Sequence, residues 1–124
     1  FLRHWSFCEE AYKPFLPKLV EIFSSKNAIY GGFSWYKSNN NARLETIAGE
    51  KEPYNPKIKI LSAVLWGKHD PILRSNWASY LHDNFENIII EFAEESGHFV
   101  HFEQPDLAAG FVRRILNKWG RDFG

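Results

Sequence analysis

Apolar residues recur at helical spacing in the first part of the chain. They occupy positions 15, 16, 19, 20, 22 and 23, a period typical of an amphipathic helix. Proline is tolerated only in a first helical turn, so Pro14 and Pro17 predict a helix that starts near Pro14. A second, short helix is expected over residues 29–38. The polar stretch that follows predicts a loop or linker over residues 39–56.

The second half alternates apolar runs with helical patterns. The nearly unbroken apolar run Ile58–Trp66 is typical of a strand that is covered on both faces of a parallel sheet. A helix is expected over Arg74–Asp83, with Ser75 as candidate N-cap. A second strand over Asn87–Ala93 and a long amphipathic helix from Pro105 complete the pattern. Because strands joined by a helical crossover run parallel, the sequence predicts an α/β fold with β-α-β-α order.

Two strands make an incomplete parallel sheet. Such sheets normally have several more strands, and an open edge offers unpaired backbone groups to other chains. The chain also begins with Phe1 and contains no methionine, so we expect an excised piece of a longer protein. The predicted partner of the open edge is the missing N-terminal half of the same protein or a second copy of this chain.

Composition and charge exclude several classes of protein. The 15 Lys and Arg residues balance 15 Asp and Glu residues, which argues against nucleic-acid binding and against a polybasic membrane-surface protein. No apolar run reaches the roughly 18 residues that span a bilayer. The single cysteine, Cys8, excludes an intrachain disulfide and a thiolate-cluster zinc site. One free thiol is typical of a protein of the reducing cytoplasm, which is the expected location.

An acid and a histidine follow the two predicted strands. Asp70 comes just after the first strand and His98 just after the second. The carboxyl ends of parallel strands share one edge of the sheet, where α/β folds place their ligand sites. A carboxylate that holds an imidazole lets it act as a general base. Either residue alone is more often a turn or loop residue, but the pair at matched strand ends favours a catalytic role.

A metal site is the weaker interpretation of the same region. His98 and His101 are three residues apart, and His69 and Glu95 are close in sequence. A metal needs ligands that converge on one point, and the sequence gives no sign that these four do so. We therefore predict no metal.

Two segments of the second half resemble those of α/β-hydrolases. The turn Leu65–Pro71 resembles the acid-bearing turn of that family. Gly97-His98-Phe99, followed by Glu103-Gln104-Pro105, resembles the catalytic-histidine loop and the start of the last helix. The resemblance implies that Asp70 and His98 are the acid and the histidine of a nucleophile–acid–histidine triad.

A third segment resembles a particular branch of the family. Residues 32–37, Gly-Phe-Ser-Trp-Tyr-Lys, are similar to the helical cap of the epoxide hydrolase and dehalogenase-like branch. The implied organisation is the end of a cap at 1–38, a linker at 39–56 and the C-terminal part of the hydrolase core at 57–124. Tyr36 matches a cap tyrosine that donates a hydrogen bond to an epoxide oxygen, and Trp35 is a second expected substrate contact.

The resemblance also implies the chemistry. Hydrolysis of a small apolar substrate would pass through a covalent intermediate and would need no cofactor. The family's nucleophile precedes the acid, and no nucleophile elbow occurs in this sequence, so the chain alone is expected to be inactive. A serine nucleophile would cleave an ester, whereas an aspartate would attack an epoxide, haloalkane or haloacid. Asp70 and His98 serve both reactions and do not discriminate between them.

The alternative hypothesis is a non-catalytic domain derived from a hydrolase. Such a domain would be stabilised as a dimer through its open strand edge. It would bind no nucleic acid and no membrane, like the catalytic form, but it would turn over no substrate.

Overall fold

The computed structural model describes residues 2–50 and 56–122 of the chain. It divides into two compact units. The larger unit contains Phe1–Lys13 and Pro56–Gly124, and the smaller unit is Pro14–Asn55. The stretch predicted as cap at 1–38 therefore divides at Pro14. The assignment of the smaller unit to a cap stays a prediction.

Two short helical segments open the larger unit. Helix α1 spans Leu2–Trp5, and a 3₁₀ helix spans Glu9–Tyr12. The segment between them is fixed by hydrogen bonds to residues about 95 positions later in the chain, because the amides of Phe7 and Cys8 both donate to Glu103. These bonds connect the first 13 residues to the second half of the chain.

Two helices form the described part of the smaller unit. Helix α2 spans Leu16–Phe23, close to the predicted start, and carries a proline in its first turn. Helix α3 spans Lys26–Ile47. It begins at the N-cap Ser25, whose side chain accepts a hydrogen bond from the amide of Ala28 at 3.1 Å.

The predicted loop at 39–56 is wrong over residues 39–47, which continue α3. Asparagine costs a helix only fractions of a kcal/mol relative to good helix formers, about 0.7 at most, so the three consecutive asparagines do not end it. The helix ends at Ile47, and Gly49, whose φ of 74° lies in the left-handed region, follows the C-cap Ala48. There the amides of Gly49 and Glu50 bond back to the carbonyls of Thr46 and Glu45, a Schellman ending. Residues 51–55 of the predicted linker lie outside the described residues.

The predicted parallel pair of strands is confirmed. Strand β1 spans Ser62–Gly67 and pairs in parallel with β2, Ile88–Ala93, with Ser62 opposite Ile88 and Gly67 opposite Ala93. The first strand starts later than predicted, because only an isolated bridge from Ile58 to Phe85 precedes the ladder. Among the described residues each strand pairs only with the other.

The connection between the strands is helical but is mostly not an α-helix. A 3₁₀ helix spans Ser75–Tyr80, and helix α4 follows at Leu81–Asn84. The prediction of Ser75 as N-cap is wrong, since Arg74 occupies that position and makes no side-chain capping bond. Serine and asparagine side chains compete for backbone hydrogen bonds, which disfavours a continuous α-helix here.

Two helices follow β2. Helix α5 is the single turn Val100–Glu103, and helix α6 spans Pro105–Asp122, beginning at the predicted proline. Phe111 and Ile115 of α6 are buried, and α6 packs against β1. The buried apolar side chains of the described chain are Tyr12, Ala78, Ala93, Val100, Phe111 and Ile115. None of the described helices combines the length and the hydropathy that a bilayer crossing needs.

Candidate active site

The loops that follow the two strands are joined by backbone hydrogen bonds. The amide of Lys68 donates to the carbonyl of Ala93 at 3.0 Å, and the amide of His69 donates to that of Ser96 at 2.9 Å. These bonds extend the pairing of β1 and β2 by one step beyond the ladder. They hold the next residue, Asp70, beside the loop that carries His98.

Asp70 is a buried carboxylate with both oxygens engaged. One oxygen, Oδ1, accepts hydrogen bonds from the amides of Ile72 and Leu73 at 2.8 and 2.9 Å. The other, Oδ2, lies 2.8 Å from Nδ1 of His98. The Asp70 side chain is 5% exposed and that of His98 is 23% exposed. The amides fix the rotation of the carboxylate, so that Oδ2 faces the imidazole.

Trp66, in strand β1, stabilises the acid loop, which is the segment of residues 68–73 that carries Asp70. Its indole N–H donates to the carbonyl of Leu73 at 2.8 Å. Because the amide of Leu73 donates to Asp70, the indole and the carboxylate hold the same peptide segment. This connects the end of β1 to the orientation of Asp70.

His98 is held by its backbone as well as by its ring. Its amide donates to the carbonyl of Trp5 at 2.7 Å. The indole of Trp5 meets the imidazole edge-on, with ring centroids 5.1 Å apart. A carboxylate can only accept, so Nδ1 of the neutral ring donates to Asp70 and Nε2 carries the lone pair. That nitrogen can take a proton from a nucleophile or a water.

A cleft opens beside this pair. It is lined by Asp70, His98 and apolar side chains that include Val64, Leu73 and Val100. An apolar cleft with two convergent polar groups is the usual form of a small-molecule site.

The other predicted site residues lie in the smaller unit. Trp35 and Tyr36 are adjacent on α3, 65% and 54% exposed, and their rings meet edge-on with centroids 5.2 Å apart. Their role as substrate contacts stays a prediction.

Two histidines of the metal hypothesis, His69 and His98, contact different residues. The ring of His69 stacks on Phe7 with centroids 4.1 Å apart, while His98 bonds Asp70. Over residues 2–50 and 56–122, no group of three or more His, Cys, Asp or Glu side chains is arranged to hold a metal ion.

The sequence reasoning missed two residues at the site. Trp5 contacts His98 from 93 positions earlier in the chain, and nothing in the sequence around it signals this. In the sequence, Glu103 stands out only as part of the Glu103-Gln104-Pro105 motif. Its carboxylate binds the amides on both sides of His98, which only the folded chain reveals.

A parallel strand pair that carries an aspartate and a histidine in contact at its carboxyl end is consistent with the α/β-hydrolase class. The chain is 32% identical over 75 residues to monoacylglycerol lipase ABHD6 of Homo sapiens and 34% identical to that of Rattus norvegicus. The alignments cover 56% of this chain and 22% of each relative. No protein-family model matches the chain.

These similarities support the α/β-hydrolase superfamily. They give no support to the epoxide hydrolase and dehalogenase-like branch. The chain spans 22% of the length of the curated relatives it matches.

Proposed function

We propose that Asp70 and His98 are the acid and the histidine of an ester hydrolase. The observation that carries the proposal is the 2.8 Å contact between Oδ2 of Asp70 and Nδ1 of His98 beside an apolar cleft. The nucleophile is contributed from outside residues 1–124. The substrate is small and has an apolar portion, and no cofactor or metal takes part.

The reaction follows from the orientation of the imidazole. A serine oxygen attacks the ester carbonyl carbon while Nε2 of His98 takes the serine proton. The protonated ring, stabilised by Asp70, gives that proton to the leaving alcohol as the carbon–oxygen bond breaks. Water then attacks the acyl-serine, with His98 again accepting and returning a proton, and the carboxylic acid leaves.

The choice of an ester rests on the relatives. They are named as monoacylglycerol lipases, whose substrate carries one ester bond to an acyl chain. The cleft beside His98 has apolar walls, which suit an acyl chain better than a charged group.

The test uses the protein expressed from its complete reading frame. We expect turnover of p-nitrophenyl esters and a monoacylglycerol, and a loss of about 10²–10⁴-fold in kcat for His98→Ala. The matched control is His101→Ala, three residues further on and exposed, which should retain wild-type kcat. Equal kcat for His98→Ala and wild type would contradict the proposal.

The same assay separates the alternatives. Trp35 and Tyr36, exposed on α3, are the residues that favour an epoxide substrate. Turnover of styrene oxide that Tyr36→Phe reduces, with no turnover of esters, would replace the ester by an epoxide. A protein that hydrolyses nothing and sediments as a dimer would support the non-catalytic domain.

A further inference from the structure

Glu103 is a buried carboxylate that accepts hydrogen bonds from the amides on both sides of His98 and from two amides of the N-terminal segment. It is the last residue of α5 and is 9% exposed. Oε1 accepts from the amides of Gly97 and Phe99 at 3.0 and 3.3 Å. These are the residues immediately before and after His98.

The other oxygen of the same carboxylate binds the N-terminal segment. Oε2 accepts from the amides of Phe7 and Cys8 at 2.7 and 2.8 Å. That segment also supplies the Trp5 carbonyl, which accepts from the His98 amide at 2.7 Å. The three consecutive amides of residues 97–99 therefore donate either to Glu103 itself or to the Trp5 carbonyl, which Glu103 helps to place.

Hydrogen bonds to an ionised carboxylate are stronger and shorter than those between neutral groups. A carboxylate that accepts four of them fixes two segments far apart in sequence. One segment, before α5, carries the imidazole of His98. The other segment comes directly after Trp5, whose indole packs against that imidazole. Asp70 therefore orients the imidazole ring through Nδ1. Glu103 holds the backbone on both sides of His98.

We propose that Glu103 is a positioning residue for His98. Its carboxylate keeps the His98 loop and the Trp5–Cys8 segment in register, so that Nδ1 stays on Asp70 and Nε2 faces the cleft. The kinetic part of this inference rests on the proposed function. The structural part does not, because the state of the imidazole is measurable without turnover.

The test compares Glu103→Gln with Glu95→Gln. The glutamine has the same shape, but its amide nitrogen cannot accept, so amides on one side lose their partner. Glu95 lies in the same loop and is exposed, which makes it the matched control. For Glu103→Gln we expect kcat to fall about 10–100-fold while KM changes less than about twofold, as for a misplaced catalytic group.

Nitrogen NMR of the histidine rings supplies the second readout. We expect the His98 signals of Glu103→Gln to broaden or double and its Nδ1 proton to exchange faster, with those of Glu95→Gln unchanged. Glu103→Asp keeps two acceptor oxygens and should restore part of both properties. Folded Glu103→Gln with wild-type His98 signals would overturn the proposal.

Two further outcomes are decisive. If both Glu103→Gln and Glu103→Asp fail to fold, the carboxylate serves the fold alone and the positioning role is overturned. If His98→Ala leaves activity intact while Glu103→Gln still disturbs the His98 ring, the proposed function fails and the positioning inference stands.

Discussion

Gly67 and Gly97, which precede Asp70 and His98 in the two loops, pack backbone against backbone. A methyl group built on Gly67 would lie 1.8 Å from the carbonyl oxygen of Gly97, and one on Gly97 would lie 2.5 Å from the carbonyl oxygen of Trp5. No side chain fits at either position without backbone movement. The acid loop, the histidine loop and the N-terminal segment therefore meet through two glycines.

Gly97→Ala should destabilise the protein for this reason. Forced overpacking typically costs about 1–3 kcal/mol, and here the clash is with backbone, so we expect the upper part of that range. The measurement is the free energy of unfolding in urea. The control is Gly110→Ala in the interior of α6, where the nearest atom is the end of the Arg114 side chain at 3.8 Å. It should gain about 0.5–1 kcal/mol because alanine suits helices better than glycine.

Asp70→Asn should reverse the tautomer of His98. The asparagine oxygen takes over the two loop amides that now bond Oδ1, which turns its NH₂ group toward Nδ1 of the imidazole. Nδ1 then accepts, and the proton moves to Nε2, where it blocks the general base. We expect kcat to fall about 10²–10⁴-fold with little change in KM. A wild-type kcat would show that Asp70 does not orient His98.

Trp66→Phe should loosen the acid loop without unfolding the protein. It removes the indole N–H that bonds the Leu73 carbonyl, a contact worth about 0.5–1.5 kcal/mol. We expect a loss of stability in that range and a fall in kcat larger than the change in KM. Trp77→Phe, at a tryptophan that is 44% exposed, is the control. An equal effect of the two substitutions would show that the hydrogen bond from the Trp66 indole does not stabilise the loop.

The free energy of unfolding should fall at alkaline pH because the phenol of Tyr12 is buried. Burial raises the pKa of its phenol, and the Glu103 charge adds to this while the Ser6 hydroxyl opposes it. The folded pKa is above the unfolded value of about 10, so the stabilisation is complete below about pH 10 and is lost as pH rises through the folded pKa.

The urea midpoint is compared at about pH 8 and about pH 11. The wild-type midpoint should fall more than that of Tyr12→Phe, because the substitution removes the phenol whose ionisation is opposed by burial in the folded state. Tyr80→Phe, at a tyrosine that is 64% exposed, should behave as wild type. Parallel falls for wild type and Tyr12→Phe would contradict this role of Tyr12.

Much of the core architecture could be predicted from local pattern. The apolar runs before Asp70 and His98 identify two strands, and parallel pairing places both residues at one edge of the sheet. The end of α3 could not be predicted from its asparagines, because helix propensity is a weak prior that the local sequence context overrides. Gly49, two residues after the last residue of that helix, is the better signal.

The supports of the site could not be predicted from the sequence. Glu103 binds amides 96 and 95 positions away, at Phe7 and Cys8. Backbone donors carry no side-chain signature, so no residue type marks where a buried carboxylate will find them. The same holds for the Trp5 carbonyl that accepts from His98.

We infer that Asp70 fixes the proton of the His98 ring on Nδ1. The two ring-nitrogen chemical shifts of His98, measured in ¹⁵N-histidine-labelled protein at a pH where the ring is neutral, test this inference. We expect a protonated Nδ1 and an unprotonated Nε2 in the wild type, and the reverse in Asp70→Asn. A wild-type ring with its proton on Nε2, unchanged by that substitution, would contradict it.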